Sequence, residues 1–247
     1  MPLVTRIDLP APTRPVGGLL SAARPLPAGW ERGVTFGDAW CLAPSPWPYC
    51  LPEDSPGEKT ADGKAAPAEF EPMGLYQAVE CTTLDSNQAQ NDAAETLAAT
   101  ADWLLGAELQ TGAVTGNPNL EDATPVTSVA TGYAAALATV DQQIALGLNG
   151  RLGFIHVTPL DLALLVSTQV LVRDGRTWRS PSGHTIVSSA GYTFDETLHA
   201  TPEVFASLSP LETRTDIDRA INQTVAYAEQ IGLAVFPPCF NISVEVT

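Results

Sequence analysis

Hydrophobic periodicity predicts two helices in the middle of the chain. Between residues 86 and 109, apolar side chains recur at steps of three and four and so share one helical face. They are Ala93, Leu97, Ala101, Leu104 and Leu105. Gly112 follows as a stop signal. This apolar stripe is narrow and rich in small residues, so we expect a helix of about 35 Å that lies across a surface rather than inside a bundle.

The second predicted helix covers residues 128–148 and is closed by Asn149-Gly150, a pair typical of left-handed C-caps. Its core stripe consists of Val129, Tyr133, Ala136, Val140 and Ile144.

Residues 150–192 predict a strand, a capped helix and a hairpin. A short β-rich run covers 152–157. Thr158, Pro159 and Asp161 then supply a hydroxyl N-cap, a proline at the first helical position and a carboxylate in the first turn. Asp174-Gly175 is predicted to end this helix. Strands at 177–179 and 184–188 follow, around the turn of residues 180–183.

The patterns at the two ends of the chain are less regular. Residues 75–83 predict a strand, 193–212 an irregular segment, and 215–227 either a helix or a strand. The chain closes with two strands that meet at Pro237-Pro238, the last one half-buried because apolar and polar residues alternate along it. Residues 1–72 are rich in proline and glycine. Five aromatic residues within them favour an ordered arm that packs on neighbouring molecules over a disordered tail.

Composition narrows the function classes. The 247 residues are 45% hydrophobic and carry a net charge of −16, which disfavours nucleic-acid binding unless positive charge is concentrated somewhere. We expect no secretion signal, no membrane span and synthesis in a cytoplasm. The four cysteines lack metal-ligand spacing, so free thiols are expected, and a Cys41–Cys50 bridge is left open.

No catalytic signature stands out. The three histidines, His156, His184 and His199, have no metal-binding spacing, and the sequence contains neither a nucleophile elbow nor a phosphate-binding loop. We therefore predict no catalytic, cofactor-binding or metal-binding residues. His156 is expected to be a hydrogen-bonded strand residue and His184 a hairpin residue. A serine hydrolase is left open as an alternative, because the convergence of its catalytic groups is a spatial property.

The order of these segments resembles a known family. The segments that carry the resemblance are PVGGLLSAARP and WERGVTF, FEPMGLYQAVECTTL, GRLGFIHVTPLDLALL with SPSGHTIVSSAGY, and INQTVAYAEQIGLAVFPPC. Together they are similar to the major capsid proteins of tailed bacteriophages, and in particular to the short capsid proteins of actinobacterial phages. The resemblance implies an α+β Hong Kong 97-type capsid fold. Its parts would be an N-terminal arm (1–40), an extended loop (41–72), a peripheral domain with a spine helix (73–126), an axial domain (127–205) and a return to the peripheral domain (206–247).

The resemblance also implies a function. The chain would be a structural protein of the virion rather than an enzyme, assembling in the host cytoplasm into pentamers and hexamers of an icosahedral shell around the DNA genome. Portal, scaffolding and decoration proteins would be partners, without sequence-specific nucleic-acid or membrane binding and without cofactors. The chain shows no long charged scaffolding segment, so a separate scaffolding protein, or none, is expected. Candidate subunit-interface residues are Trp30, Phe36, Trp40, Trp47, Tyr49, Arg14, Arg24 and Arg32.

Three other classes remain as alternatives. An encapsulin shell shares the fold and encloses enzymes. The second alternative is another virion component, such as a tail or connector protein. The third is a soluble hydrolase.

The two lysines, Lys59 and Lys64, generate a prediction about covalent cross-linking. In some relatives a loop lysine bonds to an asparagine of a neighbouring subunit, which requires a neutral amine with a lowered pKa. Here Glu58 and Asp62 flank the lysines and favour the charged form. We expect mature particles to give a single band near 26 kDa in denaturing electrophoresis. A ladder of larger bands that survives boiling would contradict this expectation.

Overall fold

The computed structural model describes residues 17–37, 68–81, 86–218 and 223–247. These residues contain four helices: α1 (Leu19–Ala22), α2 (Ser86–Thr111), α3 (Tyr133–Gly147) and α4 (Pro159–Ser167). The strands of the first part are β1 (Val34–Thr35), β2 (Glu69–Phe70), β3 (Met73–Cys81) and β4 (Thr124–Val126). The middle strands are β5 (Phe154–Val157), β6 (Val172–Asp174), β7 (Thr177–Arg179), β8 (Thr185–Ser188) and β9 (Thr197–Thr201). The last strands are β10 (Phe205–Leu208), β11 (Glu212–Asp218), β12 (Gln223–Val235) and β13 (Ile242–Glu245).

A four-stranded sheet is organised around the long strand β12. On one side β12 pairs antiparallel with the whole of β3, and on the other it pairs first with β11 and then with β10. Helix α2 lies across one face of this sheet. The residues that it buries recur at the predicted spacing: Ala89, Ala93, Leu97, Ala101, Leu105 and Leu109. The prediction of a long helix on a surface is therefore confirmed.

A seven-stranded sheet forms the second half of the molecule, in the order β4-β13-β9-β5-β8-β7-β6. Its central strands are buried on both faces. On β5, Ile155 and Val157 join α3 and α4 in one apolar cluster, whereas Phe154 faces the cluster that contains α2. Strands buried on both faces lose the alternation of polar and apolar residues that marks a half-buried strand.

The local signals around α4 act as predicted. The Thr158 hydroxyl caps the N–H of Asp161, and the Asp161 carboxylate receives the N–H of Thr158, a reciprocal capping box. The buried Asp161 carboxylate also accepts the Tyr133 hydroxyl at 2.7 Å, which ties α4 to α3. At the end of α3, Asn149 and Gly150 both have left-handed backbone angles, so the predicted cap is confirmed.

Two helix boundaries differ from the predictions. Helix α3 begins at Tyr133, not at residue 128, and Val129 is exposed rather than in the core. The N–H of Gly132 instead donates to the carbonyl of Thr247, a tertiary contact that the helical pattern does not reveal. Helix α4 ends at Ser167. Asp174 is instead the last residue of β6, and Gly175-Arg176 is the two-residue turn of the hairpin between β6 and β7. Glycine suits the first position of such a turn because that position requires a positive φ.

The segment 193–212 was expected to be irregular, and this expectation is wrong. It contains β9 and β10 and the start of β11. The sequence of β9, Thr197–Thr201, shows no alternation because four of its five residues are buried. The ambiguous segment 215–227 contributes β11 and β12, so among its described residues it is strand rather than helix.

The final strand also belongs to a different sheet from the one expected. Residues 205–235 join the four-stranded sheet, but β13 pairs with β9 and β4 in the seven-stranded sheet. Its predicted half-buried character is confirmed, with Ile242 and Val244 buried and Glu245 exposed. The segment 206–247 is therefore divided between the two sheets.

Two glycines mark the place where the halves of the molecule touch most closely. Gly106 of α2 lies against the turn of residues 189–191. A Cβ on Gly191 would lie 2.1 Å from the Trp103 carbonyl oxygen and 2.5 Å from the Ala107 nitrogen, both backbone atoms of α2. Backbone cannot move aside as a flexible side chain can, so this contact requires glycine.

We expect Gly191→Ala to lower the free energy of unfolding by about 1–3 kcal/mol, because the added methyl forces α2 away from the turn. Gly74→Ala is the matched control, since a Cβ at Gly74 meets nothing within 4 Å. Urea unfolding of the two variants measures the difference. Equal stability of both variants would show that the close contact is not maintained.

Candidate assembly surfaces

The buried histidine His156 is held by hydroxyl groups on both sides of its ring. Its Nδ1 lies 2.9 Å from the Tyr192 hydroxyl and its Nε2 lies 2.9 Å from Thr201 Oγ1. The Thr201 hydroxyl donates to the Pro202 carbonyl, so it accepts from His156 Nε2–H, and Nδ1 accepts from Tyr192. His156 is therefore a neutral, fully bonded strand residue, as predicted.

His199 lies directly opposite His156 in the register of β5 and β9. Its ring is 4.5 Å from the ring of Phe194, and its Nδ1 is buried without a hydrogen-bond partner in the described part of the chain. Burial lowers the pKa of His156 to about 3 and that of His199 to about 4. The face of the sheet that meets α2 thus contains two histidines that the fold keeps uncharged.

The third histidine, His184, forms the pair closest to a catalytic arrangement. Its Nε2 is 4.0 Å from Asp141 Oδ1, and its Nδ1 accepts the N–H of Gly153 at 3.2 Å. Burial lowers the pKa of this ring, while the nearby Asp141 carboxylate opposes the shift. With one ring nitrogen bonded to backbone and the other facing a carboxylate, neither nitrogen is left to activate a serine hydroxyl. The geometry does not support the hydrolase alternative.

The described residues contain no group of three or more histidine, cysteine, aspartate or glutamate side chains able to hold a metal ion. Within the same residues, no helix is both long and apolar enough to cross a bilayer. Cys239 is disulfide-bonded, so the expectation of a free thiol is wrong at this position. Cys41 and Cys50 lie outside the described residues.

The four-stranded sheet has an uncovered face opposite α2. Tyr76 of β3 is 71% exposed there, beside the partly exposed Ile231 of β12. A cavity of about 380 Å³ lies between these residues and the segment 209–212. Arg214 pairs with Glu229 at 2.8 Å on the same face and covers the Tyr227 ring. Large exposed aromatic and aliphatic groups with polar neighbours are typical of contact surfaces.

The seven-stranded half also exposes large aliphatic side chains. Val129, Leu146, Leu160 and Val172 are each more than half exposed. Single exposed apolar residues are ordinary on soluble proteins. The sequence did not identify these four as surface residues, because helical and strand periodicity assigns apolar positions to the core by default.

The predicted interface residues fall into three groups. Trp30 is only 6% exposed and packs with Phe70, Leu233 and Val235 of its own chain. Phe36 is half-buried and lies 5.4 Å from the ring of Phe70. Trp30 and Phe36 therefore pack within their own chain, and the expectation that the arm's aromatic residues pack on neighbouring molecules is wrong for these two.

Of the remaining candidates, two arginines are described. Arg24 is exposed and forms an ion pair with Glu203, and Arg32 is exposed at the end of a 3₁₀ turn. The last four candidates, Arg14, Trp40, Trp47 and Tyr49, lie outside the described residues.

No protein-family model and no curated protein sequence matches the chain. Solved structures, however, resemble it over nearly its whole length. A structure of Mycobacterium phage Che8 covers 99% of this chain and 96% of its own, with 13% identity and a TM-score of 0.58. The capsid of an empty GTA particle covers 96% of this chain and 99% of its own, with 12% identity and a TM-score of 0.61. The chain has the Hong Kong 97-type capsid fold.

The holo-SrpI encapsulin complex from Synechococcus elongatus shares this fold. It covers 98% of this chain and 92% of its own, with 11% identity and a TM-score of 0.56. The predicted fold class is confirmed. At these identities the likeness shows the fold alone, so the surfaces described above must carry the functional argument.

The histidine pair predicts a pH dependence of stability. The folded chain holds both rings neutral, whereas the unfolded chain protonates them near pH 6.5, so the unfolded state binds more protons below that pH. The contribution of the two neutral histidines to the free energy of unfolding is therefore complete above pH 6.5. It is lost as the pH falls towards the folded pKa values of about 3 and about 4. Between pH 7 and pH 5 we expect a loss of about 2 kcal/mol for each histidine.

Urea unfolding at several pH values measures this loss. His156→Gln should be less stable at pH 7 and should lose stability less steeply on acidification, because His156 no longer titrates while His199 and His184 still do. An unchanged slope in this variant would show that His156 is not the group responsible.

Proposed function

We propose that this chain is the major capsid protein of a tailed bacteriophage and that many copies assemble into an icosahedral shell around the genome. The observation that carries the proposal is the end-to-end fold match to virion shells, which accounts for nearly all of this chain and of the chains it resembles. The histidine geometry agrees, because each ring nitrogen that could serve a catalytic role is buried, bonded or facing a carboxylate.

The domain organisation that supports this proposal has two folded units. The peripheral unit comprises α2 and the four-stranded sheet of β3, β10, β11 and β12. The axial unit comprises the seven-stranded sheet with α3 and α4, and it includes β4 and β13 from outside the range 127–205. Residues 1–40 would be the arm and 41–72 the extended loop.

The charge of the chain suits a shell around DNA. With 28 acidic residues against 12 basic ones, the subunit repels the phosphate backbone overall. Proteins that neutralise many phosphates bind DNA tightly, which would oppose release of a packaged genome. The subunit would reside in the virion after assembly in the host cytoplasm. Its partners would be further copies of itself, a portal protein and, in addition, scaffolding or decoration proteins.

A second candidate function is an encapsulin shell, which the likeness to the SrpI complex favours. Both functions require self-assembly, and they differ in what the shell contains. An encapsulin would enclose a cargo enzyme, whereas a phage shell formed by this chain alone would be empty.

We expect the purified full chain to form pentamers, hexamers or closed shells. The physical reason is the uncovered face of the four-stranded sheet, where the exposed Tyr76 and Ile231 would be covered by a neighbouring copy. Negative-stain microscopy and mass photometry of nuclease-treated protein test this. A monodisperse 26 kDa monomer at high concentration would contradict the proposal. Mass spectrometry of any shells obtained from the native host distinguishes a co-purified cargo enzyme from virion proteins.

A further inference from the structure

Opposite charges lie on the two sides of the seven-stranded sheet, one group in the edge hairpin β6–β7 and the other at the strand ends beside the outer strand β4. We call the first the arginine edge: Arg173, Arg176 and Arg179 of the β6–β7 hairpin. Arg173 and Arg176 are exposed, and Arg179 is partly exposed and pairs with Asp174 at 2.7 Å. The exposed Val172 lies in the same edge strand, β6. Residues 127–205 contain four arginines and no lysine, so this hairpin holds most of the positive charge of the axial unit.

We call the second the carboxylate edge: Asp195, Glu196 and Glu245, all exposed. Glu245 pairs in register with Thr197 at the start of β9, and the Val246 N–H donates to the carbonyl of Glu196. The pairing of β4 with β13 stops at Val244, so β4 does not cover Glu245. The three carboxylates therefore lie together at one end of the strands, where β9 begins and β13 ends, next to the outer strand β4.

The two charged edges lie at the same end of the strands. Thr177, the first residue of β7, lies next to the hairpin turn and beside the end of β8. The end of β8 lies beside the end of β5, which in turn lies beside the start of β9. The start of β9 pairs with the end of β13. Adjacent strands are about 4.8 Å apart, so the five intervals from β6 to β13 separate the two edges by about 24 Å. A rotation about an axis roughly along the strands brings the arginine edge of one copy against the carboxylate edge of the next.

We propose that the arginine edge of one subunit binds the carboxylate edge of the next copy of this chain, and that this head-to-tail contact closes the capsomer ring. The inference rests on the proposed function. A two-fold contact would place the arginine edge against itself and would be repulsive, whereas a heterologous contact between the two edges closes into a ring. Opposite charge on the two sides fixes the register and the direction of association.

The test reverses the charge on each edge in the full-length chain. The first variant carries Arg173→Glu and Arg176→Glu, and the second carries Glu196→Arg and Glu245→Arg. Each variant alone has two like-charged edges. We expect the concentration needed for capsomer formation to rise about tenfold or more in each, measured by mass photometry. Circular dichroism and melting that match the unaltered chain confirm that the variants fold.

Complementation supplies the decisive result. An equimolar mixture of the two variants should assemble, because each edge again meets its opposite. Rings with an even number of subunits should dominate, since a pentamer cannot alternate the two variants completely. The single chain with all four substitutions should also assemble, with both hexamers and pentamers restored.

A charge-compensated variant separates edge pairing from net charge. Adding Glu69→Arg and Glu71→Arg, two exposed positions away from both edges, to the first variant restores the net charge of −16 but leaves the edges unmatched. We expect this variant to remain defective. Assembly of the compensated variant, failure of the mixture, or normal assembly of either reversed variant would overturn the edge pairing. If the unaltered chain itself forms no capsomers, the proposed function fails instead.

Discussion

The seven-stranded sheet is buried on both faces in its central strands, and most of the structure depends on this burial. One face packs on α3 and α4, and the other packs on the cluster that contains α2. A sheet shared by two apolar clusters couples them, so the two halves of the molecule cannot be stabilised independently. The close approach of Gly106 and Gly191 maintains the same coupling at the backbone level.

Burial on both faces imposes a requirement on the polar residues of these strands. A buried polar group without a partner costs about 1–3 kcal/mol. His156 meets the requirement by donating to Thr201 and accepting from Tyr192. His199 meets it only in part, because its Nδ1 has no partner in the described part of the chain. The polar residues at the junction are therefore best explained by packing rather than by chemistry.

A subunit of the proposed shell needs stable contacts within the chain and complementary surfaces between chains. The core satisfies the first need. Complementary surfaces between chains are the second need. We expect them to come from the uncovered face of the four-stranded sheet, the exposed aliphatic residues of the seven-stranded half and the two charged edges. The aromatic residues of the arm illustrate how these needs compete. Trp30 and Phe36 pack on Phe70 within their own chain, so the folded subunit uses rings that the sequence assigned to neighbouring subunits.

The sequence by itself determined the elements whose signals are local. The capping box of Thr158 and Asp161, the end of α3 at Asn149-Gly150 and the apolar stripe of α2 depend on neighbours a few residues away. The order of these segments was sufficient for the Hong Kong 97-type fold. Tertiary structure alone decided the position of β9, the division of the last strands between two sheets and the start of α3. Each of these depends on contacts between residues distant in sequence: β9 is buried on both faces and so shows no alternation, and Gly132 bonds to Thr247 across the fold.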